Sequence, residues 1–439
     1  MRKQVNKMKC RRAFKFRVYP DAKRQREIDE RLVLAQRLYN KLLERAKREY
    51  GRGGEQGINR AAFNRYLHDI ITEDKEFLRL YSQTRQDIRD RVIRSYQSFF
   101  RRCREKKNGR NVKVGFPRFK SMDRYKSIIY PQDNGSFSIE KDRLRVSRIG
   151  TMKIEMHRDI GGGIKALTIK REAGDYYAIF TTEQIIDPPR IDDTDPVGMD
   201  MGLRSFVALS DGTTIRKPKF FKKRARRIAH WQRVISRRKK GSKRRQRARE
   251  RLQREWQRAT NQSDDFMHRL SNRLVNSGYT SFAVEKLDIQ NMMKDHSVAH
   301  AIQNASWNRF IQMLSYKAES AGMEACGIDP RETTHECSRC GNVKKGAERL
   351  ARDDKVYRCN ACRLVIDRDV NAAINIRRRG LLKRATPGHS PRRLPSETGG
   401  GESNARGEKT SAVQQELKSH LEEPRTYLMH DTHQGSLGL

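Results

Sequence analysis

The chain has 439 residues, 34% of them charged and 35% hydrophobic, and a formal charge of +43. Lysine and arginine outnumber aspartate and glutamate 96 to 53, an imbalance of sign that a merely solvated surface does not need and that drives a protein onto polyanions by counterion release. The modest apolar fraction excludes a single large core in favour of two or three domains, and no apolar run approaches the ~20 residues that span a bilayer, so the expected partner is nucleic acid and not a membrane.

Residues 1–20 are basic and lack the apolar stretch of a secretory leader, so a cytoplasmic location is expected, nucleoid-associated in a prokaryote. Within them "RAFKFRVYP" alternates apolar and basic residues and stops at proline, as a half-buried strand does. From Asp21 to about Lys107 the period becomes helical. Ile28, Leu32, Ala35, Leu38 and Leu42 share one face, and Ile88, Val92, Tyr96 and Phe99 share another. An aromatic stripe at that spacing belongs to a core more often than to a base-stacking surface, and the region reads as a helical insertion. "GFPRFKSMDRYKSIIYP" is a loop entering a strand. "FSIE", "LRVS", "MKIEM", "IKALTIKRE" and "DYYAIFTTE" then follow as short strands to about Thr182. Strands on both sides of a helical block predict an antiparallel barrel interrupted by a helical subdomain. Prolines and aspartates make 187–196 a linker.

Beyond the linker, "VGMDMGLRSFVALSDGTTI" predicts two strands about the turn at Gly202 to Arg204 and a third after "SDG". "YTSFAVEKL" is a buried strand, "SWNRFIQMLSYKAESAG" a helix ending at glycine, and "MEACGIDP" another strand, an alternation that predicts an α/β domain. Between these, residues 216–258 hold 21 lysines or arginines against Glu250 and Glu255 alone. Such a run is usually a wet face. Here Ile228, Trp231, Val234 and Ile235 keep helical spacing and Leu252 and Trp256 lie four apart, which predicts a helical arm with one apolar side for a core and the other for phosphates. From Leu381 the composition shifts to Pro, Gly, Ser and Thr, with eight basic and seven acidic residues, and disorder is expected.

Of seven cysteines, Cys10, Cys103 and Cys326 stand alone and are expected to be reduced thiols. Cys337, Cys340, Cys359 and Cys362 form two C-x2-C pairs 18 residues apart, the arrangement of a closed tetrahedral zinc site. Four sulfur ligands leave no coordination position for water, so this zinc is structural. A redox pair needs only one C-x-x-C. His335, beside Cys337, is either a spare ligand or, more simply, a surface residue.

Two acids occupy positions where acids are costly, and two more open a helix. Asp200 ends a small apolar strand in "VGMDMGL", Glu285 does the same in "SFAVEKL", and Asp367 and Asp369 follow "LVI" at the start of the helix "VNAAINIRRRG". Each has a bland reading: Asp200 beside a turn, Glu285 paired with a lysine, Asp367 as an N-cap and Asp369 favoured by the helix dipole. Together, in a chain that must sit on phosphates, they suggest a site for magnesium, with two ions expected and manganese able to substitute. Asp367 best fits the cap and Asp369 the ligand, with Asp367 kept as the alternative.

Taken in order and spacing, "GMDMGL", "VEKLDIQNM", "SWNRFIQMLSYKAESAG", "DPRETTHECSRCG" and "CNACRLVIDRDVNAAINI" resemble the RuvC-like nuclease half of the TnpB family, transposon-encoded relatives of type V CRISPR effectors. "RAFKFRVYP", "VGFPRFKS" and the basic stretch from Ile235 are similar to that family too, so the resemblance covers roughly residues 10–380. It implies a multidomain α+β protein. An N-terminal wedge barrel would occupy 1–20 and 120–190, a helical recognition insertion 21–119, and an RNase H-like (RuvC) α/β domain 191–332 and 363–380, with a basic arm at 216–277. A zinc ribbon would occupy 333–362 and a disordered tail 381–439. It also implies an RNA-guided DNA endonuclease that binds an RNA from the transposon end, recognises a short motif beside the target and cuts through Asp200, Glu285 and Asp369, the last from the D-x-N of "DVN". Ser263 stands where relatives often carry arginine, and His335 where glutamine is usual. A monomer bound to its RNA is expected.

Candidate nucleic-acid contacts are Gln86 and Arg89 on the helix at 84–107, Arg118, Phe119 and Lys120 in "GFPRFKS", and Arg237, Arg238, Lys239 and Lys240 in the arm. The competing readings are a cleavage-inactive RNA-guided regulator, a zinc-ribbon DNA-binding protein, a transposase proper and a junction resolvase. A transposase needs a nucleophilic tyrosine motif that the chain does not display, and a resolvase has no use for the N-terminal half.

Overall fold

The computed structural model describes residues 8–53, 58–131, 135–186, 196–292, 294, 302, 305–351 and 354–385. The expected linker lies outside these except for Pro196, and so does the tail from residue 386 onward.

Strand β1 (Met8–Tyr19) is longer than its alternating core and sits in the middle of a seven-stranded sheet. The others are β2 (Ser127–Tyr130), β3 (Phe137–Glu140), β4 (Arg143–Val146), β5 (Gly150–Glu155), β6 (Gly163–Glu172) and β7 (Asp175–Ile186). Their order is β2-β6-β7-β1-β5-β4-β3 with every pairing antiparallel. Phe14, Phe16 and Val18 point into the core, while Lys15 and Arg17 on the other face pair with Glu172 and Asp175 of β6 and β7 at 2.7 Å each. The sheet curls enough for the Tyr130 hydroxyl of β2 to donate to the Ser147 carbonyl beyond β4, at 2.9 Å.

Three helices fill the interval after β1: α1 (Ala22–Gly53), α2 (Arg60–Glu73) and α3 (Ser82–Lys107). Asp21 caps α1 by accepting from Arg24 N at 2.7 Å, and Asn59 caps α2 by accepting from Ala62 N at 2.8 Å. Both expected apolar faces are buried, and the aromatic stripe of α3 is core. Tyr96 packs on Phe63, and Phe99 meets Phe116 of the "GFPRF" loop with ring centres 4.8 Å apart.

The second sheet has the order β10-β9-β8-β11-β12, formed by β8 (Pro196–Asp200), β9 (Val207–Leu209), β10 (Thr214–Ile215), β11 (Ser281–Glu285) and β12 (Glu324–Ile328). β8, β11 and β12 are parallel and β9 and β10 antiparallel, a mixed sheet in the half expected to be α/β. On one face α5 (Lys243–Val275) and α6 (Trp307–Ser320) bury Phe266, Leu270, Phe310 and Leu314 against Val197, Met199, Phe282 and Val284. The other face takes α7 (Arg368–Ala385) at close range. A Cβ on Gly198 would lie 2.0 Å from the Ala373 carbonyl oxygen, and one on Gly380 would lie 2.6 Å from Ala283 Cβ. α4 (Phe220–Ser236) and α5 form a basic helical hairpin closed by residues 237–242. Among the described residues, no helix is long and apolar enough to cross a membrane.

α7 runs through Ala385, past the boundary at residue 380 that the composition suggested. The reason is packing. Arg384 Nε lies 3.3 Å from Glu324 Oε2 with both side chains under 4% exposed, and its Nη1 donates to Ser281 Oγ at 2.7 Å. Removing one member of a buried pair strands the other. Arg384→Ala is therefore expected to cost about 3–5 kcal/mol of stability, measured by denaturant unfolding, whereas truncation after Ala385 should cost little; an unchanged midpoint for Arg384→Ala counts against the pair.

Candidate active site

Strand periodicity fixes two of the three acids. Val197, Met199, Phe282 and Val284 face α5 and α6, so Asp200 and Glu285 face α7. Val284 lies opposite Met199 on parallel neighbours, which sets the last residues of the two strands side by side. The two carboxyls share a hydrogen bond, which requires a proton on one of them. Burial raises Asp200 well above the ordinary carboxylate range, and the nearby charges of Glu285 and Asp369 add to the shift. Glu285 is also raised by burial, opposed by hydrogen bonds from Asp200 and from Thr333, whose Oγ1 lies 3.4 Å from Oε1.

The third acid comes from α7. Asp367 accepts from Asp369 N at 2.9 Å and from Val370 N at 3.1 Å through the same Oδ1, so it caps the helix and is exposed. Asp369 is half-buried and raised, first by burial and then by the charge of Asp367, with Arg368 and Arg204 pulling the other way. Of the two aspartates, Asp369 is thus the one whose charge reaches Asp200. Arg204, Thr333 and Gly202 were not legible as site residues. Gly202 lets the turn close: a Cβ there would sit 2.8 Å from the Ser205 carbonyl and 3.7 Å from Asp369 Oδ2.

Raised acids carry a stability cost in the metal-free protein. The folded chain holds the Asp200 proton more tightly than the unfolded chain does, so this contribution is favourable in acid and is lost as pH rises above the ordinary carboxylate range. Asp200→Asn is expected to raise the melting temperature in magnesium-free buffer at neutral pH, and the gain should shrink as the pH is lowered. Melting curves across pH check this, and a gain that grew on acidification would contradict it.

The four cysteine sulfurs lie within 4.8 Å of one another, and they are the only such metal-ligand group among the described residues. Cys337 and Cys362 are 3.6 Å apart, as are Cys340 and Cys359. Zinc–sulfur bonds of about 2.3 Å in a tetrahedron give sulfur separations of about 3.8 Å, so the cluster fits zinc. Burial pushes Cys337 up to about 12. Burial also acts upward on Cys359, but the backbone N–H groups of Cys362 and Ala361 and the neighbouring thiols more than offset it, leaving about 6. The small ribbon β13 (Val356–Arg358) and β14 (Val365–Asp367) leads from this cluster directly into α7. Asn371 Nδ2 donates to the Glu336 carbonyl at 2.8 Å, and Asn375 Nδ2 to Thr333 and Glu336 carbonyls at 2.9 and 2.7 Å. His335 is half-buried and outside the sulfur group; its carbonyl accepts from the Tyr357 hydroxyl at 3.2 Å.

The candidate nucleic-acid residues divide. Gln86, Arg118 and residues 237–240 are exposed, and Phe119 is 51% exposed with Lys47 Nζ 4.4 Å from its ring centre. Lys120 is half-buried over the Tyr39 ring at 4.4 Å, and burial lowers its pKa. Arg89 departs from expectation: it is buried, its guanidinium held by Asn64 and by Asp90 at 2.8 Å, so it ties α3 to α2 and does not face solvent. In the arm, Ile228 is buried, but Trp256 is 39% exposed and packs on Phe221 of α4 at 5.8 Å instead of entering the main core. Glu255 lies between the two helices, 2.9 Å from Arg224 and 3.5 Å from Arg258.

Comparison with known proteins gives three family models: a probable transposase over residues 179–296, a Cas12f1-like TNB domain over 307–376 and a helix-turn-helix domain over 8–55. The described part of 8–55 is a strand and one long helix, so the last label does not describe the element found here. A Streptomyces pristinaespiralis protein that carries the name RNA-guided DNA endonuclease is 30% identical over 397 residues, covering 89% of this chain and 94% of the relative. InsQ of Escherichia coli K12, with the same description, is 26% identical over 386 residues, covering 84% and 92%. A Cas12f1 solved with guide RNA and target DNA superposes with a TM-score of 0.50 at 13% identity, over 84% of this chain and 98% of that one, and so shares the fold. With a curled antiparallel sheet, a mixed sheet beneath α7, a four-cysteine cluster and relatives alike along nearly their whole length, the chain belongs to the TnpB family of RNA-guided DNA endonucleases.

Proposed function

We propose that this chain binds an RNA from a transposon end, recognises a short motif beside a matching DNA target and hydrolyses the DNA at Asp200, Glu285 and Asp369 with divalent metal. The observation that carries the reading is the hydrogen-bonded pair of a buried Asp200 on β8 and a half-buried Glu285 on β11 in a chain with 96 lysines and arginines. Such a pair is costly with nothing positive between its members, and hard divalent cations take these oxygen ligands. The descriptions of the Streptomyces and Escherichia relatives support the guide and the DNA substrate.

Asp200 and Glu285 would hold an ion between the strand ends, Asp369 would approach it from α7, and Asp367 keeps Asp369 aimed by capping the helix. A magnesium ion held there by Asp200, Glu285 and Asp369 would supply activation of a water and stabilisation of the leaving oxygen of the phosphodiester. Zinc held by Cys337, Cys340, Cys359 and Cys362 would leave no open position and would serve to hold the ribbon. Gln86, Arg118, Phe119 and residues 237–240 are the exposed candidates offered to phosphates and bases.

The experiment is to purify the chain with its copurifying RNA, sequence that RNA and challenge the complex with matching DNA in magnesium. Cutting should follow the guide when its sequence is exchanged, and ribonuclease should abolish binding and cutting together. DNA binding that survives ribonuclease overturns the guided reading, and guided binding without product makes the chain a cleavage-inactive regulator.

A further inference from the structure

One residue past Glu285, at the ends of β11 and β12, an open cleft of about 590 Å³ is lined by Lys286, Arg331, Arg379 and Lys383, with Asp329 as its one acid. Two of these cations are committed to the fold. Lys383 Nζ donates to the Gly327 carbonyl at 2.8 Å. Arg379 donates to the Arg331 carbonyl, to the Asp329 carbonyl at 3.3 Å and to Glu336 Oε2 at 2.7 Å. They stand one turn apart on α7 and hold the end of the edge strand β12 against it. The other two line the mouth. Lys286 and Arg331 are exposed, and Arg331 Nε is 3.9 Å from Asp329 Oδ2, too far for a hydrogen bond.

Stapling an edge strand explains Arg379 and Lys383, but it does not explain two further cations converging on the same concavity. Nor is the cleft remote from the acids, since Arg379 and Asp329 both lie close enough to act on the charge of Glu285. A nucleic-acid strand carries a phosphate about every 3.4 Å of axis, so a strand cleaved beside Glu285 has to pass further phosphates along the neighbouring surface.

We propose that this cleft is a phosphate subsite, in which Lys286 and Arg331 bind the backbone of the cleaved DNA strand at a linkage flanking the scissile one. The proposal rests on the cleavage reading above. The two cations are positioning residues: they touch a non-reacting phosphate and set where the scissile linkage lies relative to Asp200 and Glu285.

The test uses the RNA-loaded full chain and the double variant Lys286→Ala/Arg331→Ala, whose exposed positions leave the core intact. Target binding without divalent metal should weaken by no more than a few-fold, cleavage should slow by about tenfold, and the slope of log rate against log salt should fall by about one to two. The swap Lys286→Arg/Arg331→Lys should restore most of the rate, since either cation serves a phosphate. A neutral methylphosphonate placed singly at each flanking linkage should slow the wild type at one position and leave the double variant indifferent there. A double variant with wild-type rate and salt slope, or methylphosphonates that slow both proteins equally at every position, overturns the subsite. A wild-type complex that does not cut DNA at all overturns the cleavage reading itself and is distinguishable from either.

Discussion

Asp200→Ala or Glu285→Ala is expected to reduce magnesium-dependent cleavage at least about a thousandfold while guided DNA binding stays within a few-fold of wild type, because several kcal/mol of metal-supplied charge stabilisation is lost and about 1.4 kcal/mol is worth a factor of ten. The two sites are not equivalent to surface acids. Asp200 is buried and hydrogen-bonded to Glu285, so either truncation leaves the remaining carboxyl without its partner and with half the strand-end ligands. Binding should be spared because the exposed basic hairpin lies on other elements. Asp367→Ala separates the two roles on α7. It should lower stability by about 1 kcal/mol through loss of the cap and weaken cleavage only modestly, whereas Asp369→Ala should behave like Asp200→Ala. Rates from purified RNA complexes, beside a binding assay in magnesium-free buffer, read all four. Persistent cleavage by purified Asp200→Ala would falsify the assignment.

The second large effect is expected on losing zinc. Among the described residues the ribbon has only Cys337, Tyr357 and Cys359 as its buried hydrophobic core, too little to fold on hydrophobic burial alone. Metal binding in small modules of this kind supplies on the order of 10 kcal/mol of folding free energy. Cys359→Ser, or a strong chelator, should therefore release the zinc and open the segment from about 333 to 366 to protease. Cleavage should go with it, for a reason visible in the hydrogen bonds: Asn371 and Asn375 of α7 hold the carbonyls of Thr333 and Glu336, and the Thr333 hydroxyl reaches Glu285. Metal analysis should find one zinc per chain in the wild type. A Cys359→Ser protein with no zinc and normal cleavage would show that the ribbon does not support the acids.

Much of this was legible because it depends on local patterns. Alternation in "RAFKFRVYP" marked a half-buried strand and the apolar run in "YTSFAVEKL" a buried one, and the period of two that buries Val284 turns Glu285 toward Asp200. Asp367 could be read as a cap because capping is settled within three residues. What failed was non-local. Nothing near Arg89 announces that Asn64, on another helix, will take its guanidinium, and nothing near Arg384 announces Glu324, 60 residues upstream. Trp256 kept helical spacing with Leu252, but periodicity cannot tell whether an apolar stripe meets the main core or only the opposite arm of a hairpin. The barrel expected of the N-terminal half was read from strand order alone. Among the described residues the ladder runs from β2 to β3 with curl.

The two glycine notches beneath α7 act as a vernier. Gly198 admits the helix at Ala373 and Gly380 lets it rest on Ala283, so backbone and Cβ atoms meet with no side chain left to flex between them. Sliding the rod by a single residue, about 1.5 Å along its axis with a turn of about 100°, would jam both contacts at once. An inserted or deleted residue between Asp369 and Gly380 therefore cannot be absorbed by slippage, and the placement of Asp369 at one end of the helix is gauged by contacts up to three turns away.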